Sequence, residues 1–134
     1  MPGERQHDDL ALRLPVRAES VGVGRRAAAQ FAEQAGCDDD TVCRVRLSVS
    51  EALTNVVLHA HPAGEETHHH VVLQAERRER AIAITVSDEG AGLRARADSP
   101  GLGLGLGIIS SSTDEFAVDA APGGGTLLRM TFLR

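Results

Sequence analysis

Residues 47–61, "LSVSEALTNVVLHAH", put apolar side chains on nearly every face of a helix, yet set Glu51, Asn55 and His59 at successive four-residue steps. In a helix these three stack along one side, each about a turn above the last. A polar stripe therefore runs down a rod whose other faces must be covered by the rest of the fold. Such a stripe faces either solvent or a site.

The elements that would cover the rod can be picked out by period. "LALRLPV" (10–16) alternates like a strand, and from Ser20 a helical period runs through Val21, Ala28, Phe31, Ala32 and Ala35 to a stop at Gly36. The acidic run Asp38–Asp40 in "CDDDTV" suits the start of the striped helix, and "HPAGEE" (61–66) breaks it. "HVVLQAE" (70–76) and "AIAITVSD" (81–88) are strand-like and joined by the charged "RRER". A short helix is expected near 105–112, followed by "EFAVDA" and "TLLRMTFL" as a hairpin around "APGGG". The order β-α-α-β-β-α-β-β predicts an α+β fold, a two-layer sandwich with helices on one face of a mixed, mostly antiparallel sheet. We expect residues 1–9 to be a flexible N-terminal segment and 10–134 one domain, since 134 residues at 42% hydrophobic suit a single core.

Composition narrows the chemistry. All 14 residues counted as Lys or Arg are Arg. A Walker-type phosphate loop, the strand lysine of a eukaryotic-type protein kinase and a pyridoxal Schiff base are thereby excluded. Phosphate could be held only by backbone amides, Arg or a metal. A net charge of -5 and three aromatic residues, all Phe, argue against nucleic-acid binding. No apolar run is long enough to cross a bilayer and the first residues lack a secretory apolar stretch, so a cytoplasmic protein without membrane contact is expected. Cys37 and Cys43 read as reduced packing thiols, and "THHH" (67–70) as a solvated strand entry rather than a metal site.

Glycine is concentrated at three places: Asp88-x-Gly90-x-Gly92 at a strand end, "GLGLGLG" (101–107) opening a helix, and "GGGT" (123–126) between the last strands. Glycine admits close backbone approach to a ligand, and a helix start presents free N–H groups to an anion. By themselves the first two runs read equally well as a tight turn and a flexible linker.

Taken in order, Glu51-x-x-x-Asn55, Asp88-x-Gly90-x-Gly92, Gly101–Leu106 and Gly125-Thr126 resemble the N, G1 and G2 boxes and closing Gly-Thr of the GHKL (Bergerat-fold) ATPases. "LSVSEALTNVVLHA", "VSDEGAGL" and "GGGTLLRM" look most like the bacterial anti-sigma factor serine/threonine kinases, over about residues 10–134. The resemblance implies ATP and Mg²⁺ as cofactors, with Asn55 as the metal ligand and Asp88 accepting a hydrogen bond from the adenine amino group. It implies that Gly90 and Gly92 pass close to the base, and that the amides around Gly103, Leu104, Gly105 and Leu106 cradle phosphates. Thr126 would close the adenine end, His59 would continue the stripe to the pocket rim, and Glu51 would be the catalytic base. The implied partners are a sigma factor and a STAS-type anti-anti-sigma protein, with a homodimer through a sheet edge or helix face left open.

This chain departs from the family in having His61 where a tyrosine is often found and Leu102 where a polar residue is common. A sensor histidine kinase would use the same pocket, but is expected to carry a dimeric helical domain upstream and a longer lid than Leu93–Pro100. Gyrase, heat-shock and mismatch-repair relatives would bring transducer domains. The remaining alternatives are a non-catalytic ATP-binding regulatory module and an ATPase domain serving a separate histidine-kinase partner.

Overall fold

The alternating segments pair into one sheet. The structure, a computed structural model, describes residues 9–59, 69–88, 100–120 and 125–134, with the side chains of residue 59 and residues 100–105 outside that description. In chain order the elements are β1 (Leu10–Pro15), α1 (Ala18–Gln34), α2 (Asp39–His59), β2 (His70–Arg77), β3 (Ala81–Asp88), α3 (Pro100–Ser112), β4 (Glu115–Ala120) and β5 (Thr126–Leu133). The strands lie in the order β1-β2-β3-β5-β4, and all four ladders are antiparallel. Residues 1–8 of the expected N-terminal segment, together with Gly90 and Gly92, lie outside the described residues.

Period two decides which face of the sheet is covered. Val71, Leu73 and Ala75 of β2, Ile82, Ile84 and Val86 of β3, and Leu128, Met130 and Phe132 of β5 are buried under the helices. The intervening Gln74, Glu76 and Arg129 are exposed on the other face. α1 and α2 pack together on the covered face, adding Ala28, Phe31 and Ala32 from one and Val45, Val49, Leu53 and Val56 from the other. Each large side chain buried this way contributes about 1.5–3 kcal/mol. Among the described residues, no helix is long and apolar enough to cross a membrane.

The ends of α1 follow local chemistry. The helix starts two residues before Ser20, where the helical period was expected to begin. Ser20 lies inside the first turn, and its hydroxyl donates to the Pro15 carbonyl, so the helix begins at Ala18 behind an extended Arg17. At the other end Gly36 has φ +88°, its N–H donates to the Glu33 carbonyl, and the Cys37 N–H donates to the Ala32 carbonyl. These two bonds make a Schellman turn, which needs a left-handed residue where Gly36 stands. Asp38 then caps α2, its Oδ1 accepting the Thr41 N–H at 2.8 Å. That backbone bond holds the Asp38 carboxyl below its ordinary range.

α3 starts at Pro100 rather than near residue 105, so the whole glycine-leucine run is helical. Proline suits a first helical position, and packing of α3 along α2 outweighs the intrinsic cost of glycine in a helix. The C-terminal end of α3 is tied down by Arg44 of α2. Its Nη1 donates to the Ser112 carbonyl at 3.2 Å and lies 3.5 Å from the Asp114 carboxylate. Asp114 in turn accepts the Leu133 N–H through Oδ2 at 2.8 Å and donates its own N–H to the Thr131 carbonyl at 2.9 Å. One network thus joins the start of α2, the end of α3 and the end of β5.

Three substitutions test these contacts. A Cβ at Gly24 would collide with Leu53 Cδ1 and stand 3.5 Å from Leu73 and 3.6 Å from Leu14, whereas at Gly22 it would meet only Arg side chains. Gly22→Ala should stabilise by about 0.5–1 kcal/mol through helix propensity, while Gly24→Ala should destabilise by about 1 kcal/mol because overpacking exceeds that gain. Urea titration of both variants reads the difference, and equal midpoints would show that the contact at Gly24 is slack. Arg44→Ala should cost about 1–2 kcal/mol by leaving the Ser112 carbonyl without its charged donor.

Candidate nucleotide site

The direction of α2 decides where its polar stripe lies. Its start is bound, through Arg44 and Asp114, to the Thr131–Leu133 end of β5. Its later turns therefore lie over the opposite end of the sheet, where β5 begins and β3 finishes. Midway, Gly24 of α1 meets Leu53 of α2 above Leu73 of β2. Asn55 sits half a turn beyond that contact.

At this end of the sheet Val71 of β2 pairs with Asp88 of β3, and Ser87 pairs with Leu127 of β5. The same register carried one step on sets Asp88 beside Thr126. Opposed residues share a face, so both project to the helix side, continuing Val86 and Leu128. Both are buried, Asp88 at 1% and Thr126 at 2% exposure, and both are engaged by neighbours. Alternation alone would put apolar residues there.

Asn55 is 4% exposed, and its Nδ2 finds no hydrogen-bond partner among the described residues. Such a buried polar atom costs about 1–3 kcal/mol unless something meets it. Asn55 therefore fits a site that a polar ligand completes. Its side-chain oxygen is also the kind of neutral donor that Mg²⁺ accepts beside phosphate and water. Glu51, one turn earlier on the same side, is half-buried. It keeps the partial solvent access that a proton acceptor requires.

α3 packs along α2 with its C-terminus at Arg44, so its first half points toward the Asn55 end. The helix backbone from Gly103 to Leu106 thus approaches the region of Asn55, and Leu106 is half-buried against the core. The structure brings Glu51, Asn55, Asp88, Thr126 and the first half of α3 to one end of the molecule. Gly90, Gly92 and the His59 side chain lie outside the described residues.

Ser48 was not singled out in the sequence. It is fully buried, and its Oγ has no partner among the described residues. The signal was present, for Ser48 precedes Asn55 by seven residues and so stands on the same side of α2 two turns earlier. Its small hydroxyl among Val, Ala and Leu gave no reason to separate it from packing.

Residues 14–132 match the family described as "Histidine kinase-like ATPase domain". The serine-protein kinase RsbW of Listeria monocytogenes serovar 1/2a is 37% identical over 60 residues, which cover 45% of this chain and 38% of that protein. RsbW of Listeria monocytogenes serotype 4a is 39% identical over 54 residues, covering 40% of this chain and 34% of the relative. These matches thus span well under half the length of the curated relatives. Among solved structures, the RsbU and RsbW domains of Rv1364c from Mycobacterium tuberculosis superpose with a TM-score of 0.69 at 18% identity, over 93% of this chain and 32% of that one. At that identity the likeness is one of fold.

The family match takes in Glu51, Asn55, Asp88 and Thr126 together with every element from the end of β1 into β5. The chain belongs to the histidine kinase-like ATPase domain family.

Proposed function

We propose that the chain is an ATP-dependent anti-sigma factor of the serine/threonine kinase type. It would bind a sigma factor and phosphorylate a Ser or Thr of a STAS-type anti-anti-sigma protein in the cytoplasm. The observation that carries this reading is Asn55, a buried amide with an unmet Nδ2, one turn from a half-buried Glu51 and at the sheet end where Asp88 meets Thr126. The RsbW relatives, named serine-protein kinases, support the same class.

On this reading residues 10–134 form the nucleotide-binding and catalytic domain. Asp88 accepts the adenine amino hydrogen, which selects against guanine because guanine presents an acceptor there. Thr126 supplies a hydroxyl at the base, and Gly90 and Gly92 let the chain pass close to it. The amides of Gly103, Leu104, Gly105 and Leu106 hold phosphate oxygens in place of the missing lysine. Asn55 is the protein ligand to Mg²⁺, and His59 borders the pocket. Bound Mg²⁺ supplies charge neutralisation for the phosphates. Glu51 takes the proton of the incoming hydroxyl as its oxygen bonds to the γ-phosphorus, the bond from phosphorus to the bridging oxygen breaks, and ADP leaves.

Two measurements test the reading. Calorimetry should show ATP bound more tightly than GTP, and Asp88→Asn should weaken ATP binding by about 1–3 kcal/mol. Equal affinities for the two nucleotides would remove Asp88 as the base reader. In radiolabel transfer from ATP to the protein substrate, Glu51→Ala should slow phosphorylation about 10²- to 10⁴-fold while leaving ATP affinity nearly intact. Asn55→Ala should impair both. Transfer by Glu51→Ala at the wild-type rate would overturn the base assignment, and a wild type that binds ATP but never transfers phosphate would make it a nucleotide-gated binding module.

A further inference from the structure

Two contacts divide the surface of α2 into lines. Arg44 reaches Ser112, so the line Arg44, Ser48, Glu51, Asn55 faces α3, whereas Ser50 receives Arg25 Nη1 of α1 at 3.4 Å and so faces α1. Between them, at about 100° per residue, lies a third line of Leu47, Thr54 and Leu58. Leu47 is 45% exposed and Leu58 65% exposed, two of the few large apolar side chains left open among the described residues. Scattered surface leucines need no explanation. These two share one line of one helix, a turn before and two turns after Glu51, with Thr54 half-buried between them.

We propose that this ridge is the docking surface for the protein substrate, an inference that rests on Glu51 being the catalytic base. Among the described residues, the solvent side of Glu51 is the line of Leu47, Thr54 and Leu58, because α3 packs on the other flank of α2. The occupant is therefore the protein that carries the acceptor Ser or Thr, with apolar side chains beside that residue to cover the two leucines. The α1 flank adds charge. In residues Ala18–Ala28 of α1, Arg25 and Arg26 stand against the single carboxylate of Glu19, although the whole chain carries -5. The matching segment is thus apolar around its acceptor residue and acidic on the side that meets α1.

The test uses purified STAS-domain proteins from the same cell as probes, with the full chain. Leu47→Asp and Leu58→Asp should raise KM for the phosphorylated probe about tenfold or more, with kcat and ATP affinity nearly unchanged. They should weaken binding of the same probe to nucleotide-free protein by a like factor. Leu47→Met and Leu58→Met should behave as wild type, and Arg26→Glu should raise KM and flatten its dependence on salt. Unchanged melting curves for these exposed sites would separate docking from folding. Wild-type KM and probe affinity in both aspartate variants would overturn the ridge while leaving the kinase reading intact. A wild type that binds a probe through the ridge but transfers no phosphate would sustain the docking surface and sink the kinase reading, and a wild type that neither binds nor phosphorylates any probe would overturn both.

Discussion

Leu53 occupies the space that a side chain at Gly24 would need, and that contact sets how closely α1, α2 and the sheet approach one another. With a glycine at this point of α1, Leu53 of α2 takes the space beside Leu73 and joins the buried core. Close-packed interiors leave little room for compromise at such a crossing. The depth of α2 has a chemical consequence two residues on. Asn55 is carried below the surface with it, so an amide that would be an ordinary solvated group on a looser helix becomes a buried one with an unmet donor.

The molecule has two unlike ends. Around the start of α2 a run of polar groups is answered: Asp38 by the Thr41 N–H, Arg44 by Ser112 and Asp114, and Asp114 by β5. From its middle onward, Ser48 Oγ and Asn55 Nδ2 are buried without partners among the described residues. A fold tolerates such atoms where something else completes them. Among the described residues, this difference in polar satisfaction is what marks the site.

Much of this could be read from the chain because strand periodicity is unambiguous when one face is covered. The limits of β3, β4 and β5 agree with the alternating segments, and β1 ends at Pro15, one residue short of the expected stretch. The helix starts were harder. The helical period becomes visible only from Ser20, yet α1 begins at Ala18, and the Ser20 hydroxyl is used by Pro15, a contact that depends on how β1 turns into α1. The glycine-leucine run reads as loop by propensity, and it is helical because α2 lies alongside. In the site, Glu51 and Asn55 were legible from their spacing on one helix. The meeting of Asp88 with Thr126 depended on strand register, which no local pattern states. Ser48 was invisible because a serine in an apolar helix looks like filler until its burial is known.

Arg44 makes a lever of α3. The helix is 13 residues long and is held at its last carbonyl, so its pivot lies at one end and the glycine-rich turns at the other. An arm of that length is about 20 Å, and a tilt of about 10° at the pivot displaces the far turn by about 3 Å, roughly the length of a hydrogen bond. Were the packing of α3 along α2 to yield by that much, polar contacts at the far turns would be made or broken while the tie at Ser112 stayed in place.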